Sequence, residues 1–191
     1  MKITPIITHL RARCPSFSGR VAGALELSAL LEENAPLMAL PAAYVVPTRD
    51  DPESVTTNTP YQQPLLEQFD VVLALSTSDE RGQAVADRLH DLRSELWRAL
   101  LGWRPSDLYE PIEYDGGDML LLNRARVLYR YAFRLESQIG GVRSAGAPPE
   151  TWHDVAQDGL PGLSGMRAGV DYAVPDGRIE HQLDVKFTTN P

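Results

Sequence analysis

The residues able to do chemistry are few and scattered. Four histidines (His9, His90, His153 and His181) and one cysteine, Cys14, show no metal-ligand spacing among themselves. His9 lies beside the apolar stripe of an N-terminal helix, which suits a structural histidine. Cys14 has only Arg11 and Arg13 as basic neighbours, so a buried, inert thiol is expected rather than a nucleophile. Gly162-Leu163-Ser164-Gly165-Met166 approaches the G-x-S-x-G pattern of a nucleophile elbow, but it ends in methionine and sits in Gly/Pro-rich surroundings rather than between a strand and a helix. Asp115 and Asp118 are close enough for paired-carboxylate acid–base work, yet they flank Gly116-Gly117, and turn chemistry explains both. No phosphate loop, dinucleotide fingerprint or zinc-protease helix motif is present. No catalytic residue, metal or cofactor is therefore expected.

Arg126, Arg130 and Arg134 are the more informative charged residues. They recur on one side of an alternating segment and could be a solvated sheet face. Alternatively they form a subunit surface, since arginine makes bidentate pairs with carboxylates and the chain carries 26 acidic residues.

The elements that position these residues follow from periodicity. Ile3, Ile6, Ile7 and Leu10 have helical spacing, with Pro5 tolerated in the first turn and Cys14-Pro15 ending the helix. A second apolar patch at Val21, Leu25, Leu27, Leu30 and Leu31 fits either a short helix or an irregular segment. Ala42-Ala43-Tyr44-Val45-Val46 is a short strand between Pro41 and Pro47, and the polar residues 48–59 read as a long exposed loop. Phe69, Val71, Leu73 and Leu75 alternate through a strand that is apolar on both faces near its middle, so a central position is expected.

Thr77-Ser78-Asp79-Glu80 has capping-box spacing. The stripe Val85, Leu89, Leu92, Leu96 and Leu100 follows, with Asp87, Arg88, Asp91, Glu95 and Arg98 on the other side and Gly102 at the C′ position. A helix over residues 78–101 would be ~36 Å long at 1.5 Å per residue. Beyond Pro105, a strand at 112–114, a turn at Asp115-Gly116-Gly117-Asp118 and a returning strand at 119–122 are expected. After a turn at Asn123 comes a long strand in which Val127, Tyr129, Tyr131, Phe133 and Leu135 alternate with Arg126, Arg130, Arg134 and Glu136.

Together these predict an α+β fold, a mixed, mostly antiparallel sheet with two helices packed on one face, plus a C-terminal β-hairpin extension. The core is expected over residues 1–139, a linker over 140–150, and an extension over 151–191 containing Trp152, a Gly/Pro-rich loop from Gly159 to Gly169 and the hairpin. In the hairpin, Val170, Tyr172 and Val174 lead into Pro175-Asp176-Gly177, followed by Ile179, His181, Leu183, Val185 and Phe187. A two-stranded hairpin is marginal alone in water, so it must dock on its own domain or another subunit.

At 191 residues, one ordinary domain with an extension can bury roughly 70% of its unfolded surface without a staple. The apolar fraction of 43% and charged fraction of 23% suit a globular domain. One cysteine forbids an intramolecular disulfide and suits a reducing compartment. The N-terminal residues lack the h-region of a signal peptide, and the apolar runs at 71–75 and 119–122 are far short of a membrane span. The net charge of −8 opposes wrapping DNA or docking on an anionic membrane.

At this point the residues resemble a family. Pro41-Ala42-Ala43-Tyr44-Val45-Val46-Pro47, Gln68-Phe69-Asp70-Val71-Val72-Leu73, Arg81-Gly82, Leu92-Arg93, Ala99-Leu100-Leu101-Gly102-Trp103-Arg104-Pro105, Ile112-Glu113-Tyr114-Asp115-Gly116-Gly117 and Tyr131-Ala132-Phe133 are similar to the tail terminator proteins of long-tailed bacteriophages. The similarity covers roughly residues 1–139 and rests on spaced motifs.

The resemblance implies a structural virion protein, not an enzyme, that forms a homo-hexameric ring on the head-proximal end of the tail tube. Such a ring ends tube polymerisation and gives the docking surface for the head-completion or connector protein. Its partners are then itself, the major tail tube protein and the connector protein. DNA passes through the lumen without specific binding, no membrane is involved, and assembly takes place in the host bacterial cytoplasm. Asp51, Glu53, Asp115, Asp118, Arg126, Arg130, Arg134, Arg178 and Glu180 are the expected subunit or partner contacts. The alternatives are another neck or tail-completion ring protein, a small cytoplasmic hydrolase using Ser164 or the Asp115/Asp118 pair, and a monomeric module binding a ligand through residues 48–60.

Overall fold

In chain order the elements are α1 (Thr4–Arg13), a 3-10 turn (Pro15–Phe17), β1 (Val21–Gly23), α2 (Ala24–Leu31), β2 (Ala42–Pro52), β3 (Thr57–Asn58), β4 (Tyr61–Ser76), α3 (Gln83–Leu100), β5 (Glu113–Leu122), β6 (Arg126–Gly140), α4 (Trp152–Asp158), β7 (Gly165–Val170) and β8 (His181–Lys186). The computed structural model describes residues 1–31, 39–58, 60–77, 83–123, 125–144, 146–161, 164–171, 179 and 181–187. The chain divides into two units, Met1–Ala147 and Pro148–Pro191.

The first unit is a six-stranded sheet in the order β1-β2-β4-β6-β5, with β3 added to β4. Among the described residues only the β1–β2 pair is parallel. The centre is the β4–β6 ladder, continuous from Gln62 opposite Gly140 to Ser76 opposite Arg126. One face carries Phe69, Val71, Leu73, Tyr131, Phe133 and Leu135, buried beneath Ile6 and Leu10 of α1 and Leu89, Leu92, Leu96 and Leu100 of α3. Both helices behave as their apolar spacing predicts, because each has one stripe that must leave water. On the opposite face a smaller cluster (Ala22, Ala42, Tyr44, Val72, Ala74 and Leu128) packs with Leu27 of α2. The apolar patch at 21–31 thus resolves into a three-residue strand and a helix.

Several expectations fail for physical reasons. Residues 48–52 and 57–58 are strand rather than loop: past a bulge between Pro47 and Arg49, β2 continues to pair with β4, through Arg49 opposite Gln68 to Pro52 opposite Leu65. The loop shrinks to residues 53–56 among those described. Glu53 and Thr56 then donate their backbone N–H groups to the carbonyls of Pro64 and Gln62 at 3.0 and 2.9 Å. Polar composition here reports exposed side chains, whereas strand pairing requires only backbone groups.

Asp115-Gly116-Gly117-Asp118 is not a turn either. It lies inside β5, which is one strand with irregularities at Tyr114/Gly116 and Met119/Leu121. Gly116 takes φ +148 at the bulge. A Cβ on Gly117 would meet Tyr114 Oη at 2.9 Å, Tyr129 Cε1 at 3.0 Å and the Arg130 carbonyl oxygen at 3.1 Å. These glycines serve a bulge and a close approach of aromatic rings, not a reversal of the chain.

Glu95, expected on the polar side of α3, is buried and accepts a hydrogen bond from the Ser16 backbone N–H at 3.1 Å. The helix ends as expected at Gly102, with φ +80. Ser78, Asp79, Glu80, Arg81 and Gly82 lie outside the described residues, and with them most of the expected capping box.

In the second unit, α4 has a full capping box that sequence reading missed. The Thr151 hydroxyl accepts from the Asp154 N–H at 3.3 Å, and the Asp154 carboxylate accepts from the Thr151 N–H at 2.8 Å. Part of the expected 159–169 loop is strand β7, which pairs antiparallel with β8 from Gly165 opposite Lys186 to Val170 opposite His181. Direct pairing sets Met166, Ala168 and Val170 on one face with Val185, Leu183 and His181. The other face carries Arg167, Gln182, Asp184 and Lys186. The turn residues Pro175-Asp176-Gly177 lie outside the described residues.

Candidate assembly site

The expected interface residues separate into groups once the strands are in register. Alternation along β6 sends Arg130 and Arg134 to the face away from α1 and α3. On β5, Asp118 stands directly opposite Arg130, and Glu113 opposite Arg134. Arg134 donates through Nε and Nη2 to Glu113 Oε2 at 3.0 and 2.8 Å, and its Nη1 lies 3.7 Å from Asp115 Oδ1. Arg130 donates through Nη2 to Asp118 Oδ2, and its Nη1 is 3.7 Å from Asp70 Oδ2 on β4. The result is a charged strip across β4, β6 and β5 in which each guanidinium bridges two carboxylates.

Donating to Asp118 raises the Arg130 pKa, and donating to Glu113 raises that of Arg134. Asp70 is shifted upward, first by burial; Arg130 opposes this, and Asp118 and Asp115 reinforce it. Both arginines therefore have carboxylate partners within their own chain. Isolated surface pairs contribute about 0–1 kcal/mol each, so the strip matters more for orientation and recognition than for folding.

Asp51 and Glu53 lie elsewhere, at the distal end of β2 and just beyond it. Asp51 Oδ1 accepts from Arg49 Nη2 at 3.0 Å, and the Glu53 carbonyl accepts from Gln63 Nε2 at 2.7 Å. Arg126 begins β6, opposite Ser76, and its backbone N–H donates to Asn123 Oδ1 at 2.9 Å, closing the β5–β6 turn. Arg178 and Glu180 lie outside the described residues. Sequence reading thus found four members of the strip and missed Asp70 and Glu113. Only cross-strand register reveals them, because each is far in sequence from the arginine it meets.

The residues weighed for chemistry have structural surroundings. Cys14 is buried, and desolvation, helped by Glu95 and opposed by Arg98, pushes its thiol up to about 12. His9 stacks on Trp103 with ring centroids 3.9 Å apart, and its Nε2 lies 2.9 Å from the Ala99 carbonyl oxygen. The Ser164 carbonyl accepts from the Phe187 N–H at 3.0 Å, at the edge of a hairpin rather than on a strand-to-helix elbow. Asp115 and Asp118 both face arginine. Among the described residues no cluster of three or more His, Cys, Asp or Glu could hold a metal ion, and no helix is long and apolar enough to cross a membrane.

The described residues thus form an α+β sheet with a strip of paired carboxylates and arginines, a surface suited to recognition. Comparison with known proteins makes the class specific. The family model for phage tail terminator protein matches residues 1–144, and the chain belongs to that family. It is a structural, non-enzymatic protein of the phage tail type. Among solved structures the chain is similar to a chain of the virion of a native gene transfer agent (GTA) particle, at 16% identity and a TM-score of 0.46, covering 70% of this chain and 91% of that one. No match was found among curated proteins.

Proposed function

We propose that six copies of this chain close into a ring on the head-proximal end of the tail tube. The ring ends tube polymerisation and offers its other side to the head-completion or connector protein. DNA passes through the lumen without specific binding, and assembly takes place in the host bacterial cytoplasm. The observation that carries this reading is the family match over residues 1–144. In this reading residues 1–139 are the terminator core, 140–150 a linker and 151–191 an added arm.

The geometry supports the reading in two ways. The distal ends of β2, β4 and β6, with β3, extend the sheet beyond its core: burial in β4 begins at Glu67, and residues 61–66 are half-exposed. Asp51 and Glu53 belong to this extension and suit a partner contact. The strip of Asp115, Asp118, Arg130 and Arg134 suits a subunit contact, because ordered, alternating charges favour one register and reject others. Arg126, Arg178 and Glu180 complete the proposed contact set. The net charge of −8 disfavours lasting contact with DNA in a channel.

The test is to incubate purified protein with polymerised tail tube and examine the tube ends by electron microscopy. A six-fold cap at one end, with further subunit addition blocked, is expected. Uncapped tubes that continue to grow would overturn the reading.

A further inference from the structure

Every strand edge exposes backbone N–H and C=O groups that can template another strand, so folded proteins cover or blunt their edges. At the β1 edge of the main sheet, Arg11 donates through Nε and Nη2 to the Val21 carbonyl at 2.9 and 2.6 Å. Beyond the distal part of β6, the chain folds back so that Tyr109 bridges Ser137 and the Glu110 N–H reaches the Glu136 carbonyl at 2.8 Å. The outer edge of β5 has no partner strand among the described residues.

That edge is also two-sided. Met119 and Leu122 pair with Tyr129 and Val127, on the side of the sheet that carries the main core. Met119 and Leu122 are 52% and 63% exposed. The other side of the same strand presents Glu113 and Asp118, with Asp115 at the bulge and Leu121 nearer the strand's end.

The β7–β8 hairpin has the matching pair of faces. Its apolar face holds Met166, Ala168, Val170, Leu183 and Val185, with Met166 and Leu183 54% and 58% exposed. Its polar face holds Arg167, Gln182, Asp184 and Lys186, and Arg167 donates through Nε to Asp184 Oδ1 at 2.6 Å. A hairpin of two six-residue strands with one apolar face in water is marginal by itself. Adding it beside β5 would continue the apolar side with apolar residues and put Lys186 on the side of the β5 carboxylates.

We propose that the β7–β8 hairpin of one copy adds as strands to the open β5 edge of a second copy. This contact is heterologous, since two different surfaces meet, and such contacts generate closed rings when the rotation closes. Strand addition supplies backbone hydrogen bonds for affinity, while the two faces of the hairpin fix its orientation. The proposal rests on the ring reading above and names the contact by which neighbours join.

The test uses two full-length variants, Leu122→Cys and Met166→Cys, distinguished by a mass tag and mixed in the presence and absence of tail tube. A short bis-maleimide is then added; the buried Cys14 does not compete. Both substitutions are at exposed positions, so folding is preserved. The expected product is a covalent dimer joining one variant to the other. In a chain carrying both substitutions, linking is expected mainly between chains.

Linking confined to single chains would show the arm on its own sheet and overturn the proposal, as would no linking at all. Caps without the link would sink strand addition and leave the ring reading intact. The link without caps would support strand addition and sink the terminator reading. As a second measurement, Leu183→Glu should reduce the linked product at least tenfold; an unchanged yield would also overturn the proposal.

Discussion

His9 of α1 and Trp103, just beyond the end of α3, stack almost parallel, with 9° between their planes. The same imidazole donates through Nε2 to the Ala99 carbonyl at 2.9 Å, one of the carbonyls that the last turn of a helix leaves without an internal partner. One side chain therefore holds α1 against the end of α3. His9→Ala is expected to destabilise the domain by about 1–2 kcal/mol, the combined scale of an aromatic pair and a hydrogen bond. His9→Phe should recover only the stacking share. Urea unfolding of the three proteins checks both statements, and equal midpoints would refute the role.

Cys14 gives a pH signature. Its thiol is raised from an ordinary value of 9.0 to about 12, chiefly by burial. The folded state therefore keeps its proton where the unfolded state loses it. The contribution is fully present below pH 9.0 and is lost as pH rises toward about 12. Unfolding midpoints should fall between pH 8.5 and 10.5, more steeply in the native protein than in Cys14→Ala; matching slopes would contradict this. At pH 8 a thiol reagent should label Cys14 only after unfolding.

Asp70 gives a second pH handle, of the same sign, on the charged strip. Burial holds its pKa above the usual 3.8 while Arg130 draws it down. Arg130→Met removes that compensation, so the Asp70 pKa should rise further. A carboxyl group raised in the folded state gains stability on protonation, so the variant should lose stability at pH 7 and regain part of it as pH falls through the raised value. Asp70→Asn in the Arg130→Met background should remove the pH dependence. A variant whose loss is the same at pH 7 and pH 5 would argue against the coupling.

Gly117→Ala should destabilise by about 1–3 kcal/mol, the scale of overpacking. The nearest atom to the added methyl would be Tyr114 Oη at 2.9 Å. Tyr114→Phe should therefore relieve part of the loss, though Tyr129 Cε1 and the Arg130 carbonyl remain close. A double-mutant cycle measures the coupling; strict additivity would show that the tyrosine hydroxyl is not what the glycine accommodates.

Local pattern carried much of the fold. The stripe from Val85 to Leu100 and the spacing of Ile6 and Leu10 each identify a buried helix face, because a helix brings residues three and four apart together whatever surrounds it. Alternation along β6 likewise separates Tyr131, Phe133 and Leu135 from Arg130 and Arg134 before any partner strand is known. The inert character of Cys14 was also legible, from the lack of a strongly basic setting around it.

Tertiary structure decided what each strand pairs with, since pairing joins backbone groups whose positions composition does not encode. Residues 49–52 are strand because β4 is long enough to meet them, and Gly116-Gly117 lie within a strand because β6 runs past them. Glu95 is buried because the chain after α1 brings the Ser16 N–H to it. For the same reason the sequence alone marks the arginines of β6 as a charged face but leaves open what they bind. Their carboxylate partners on β4 and β5 become neighbours only when the register between strands is set.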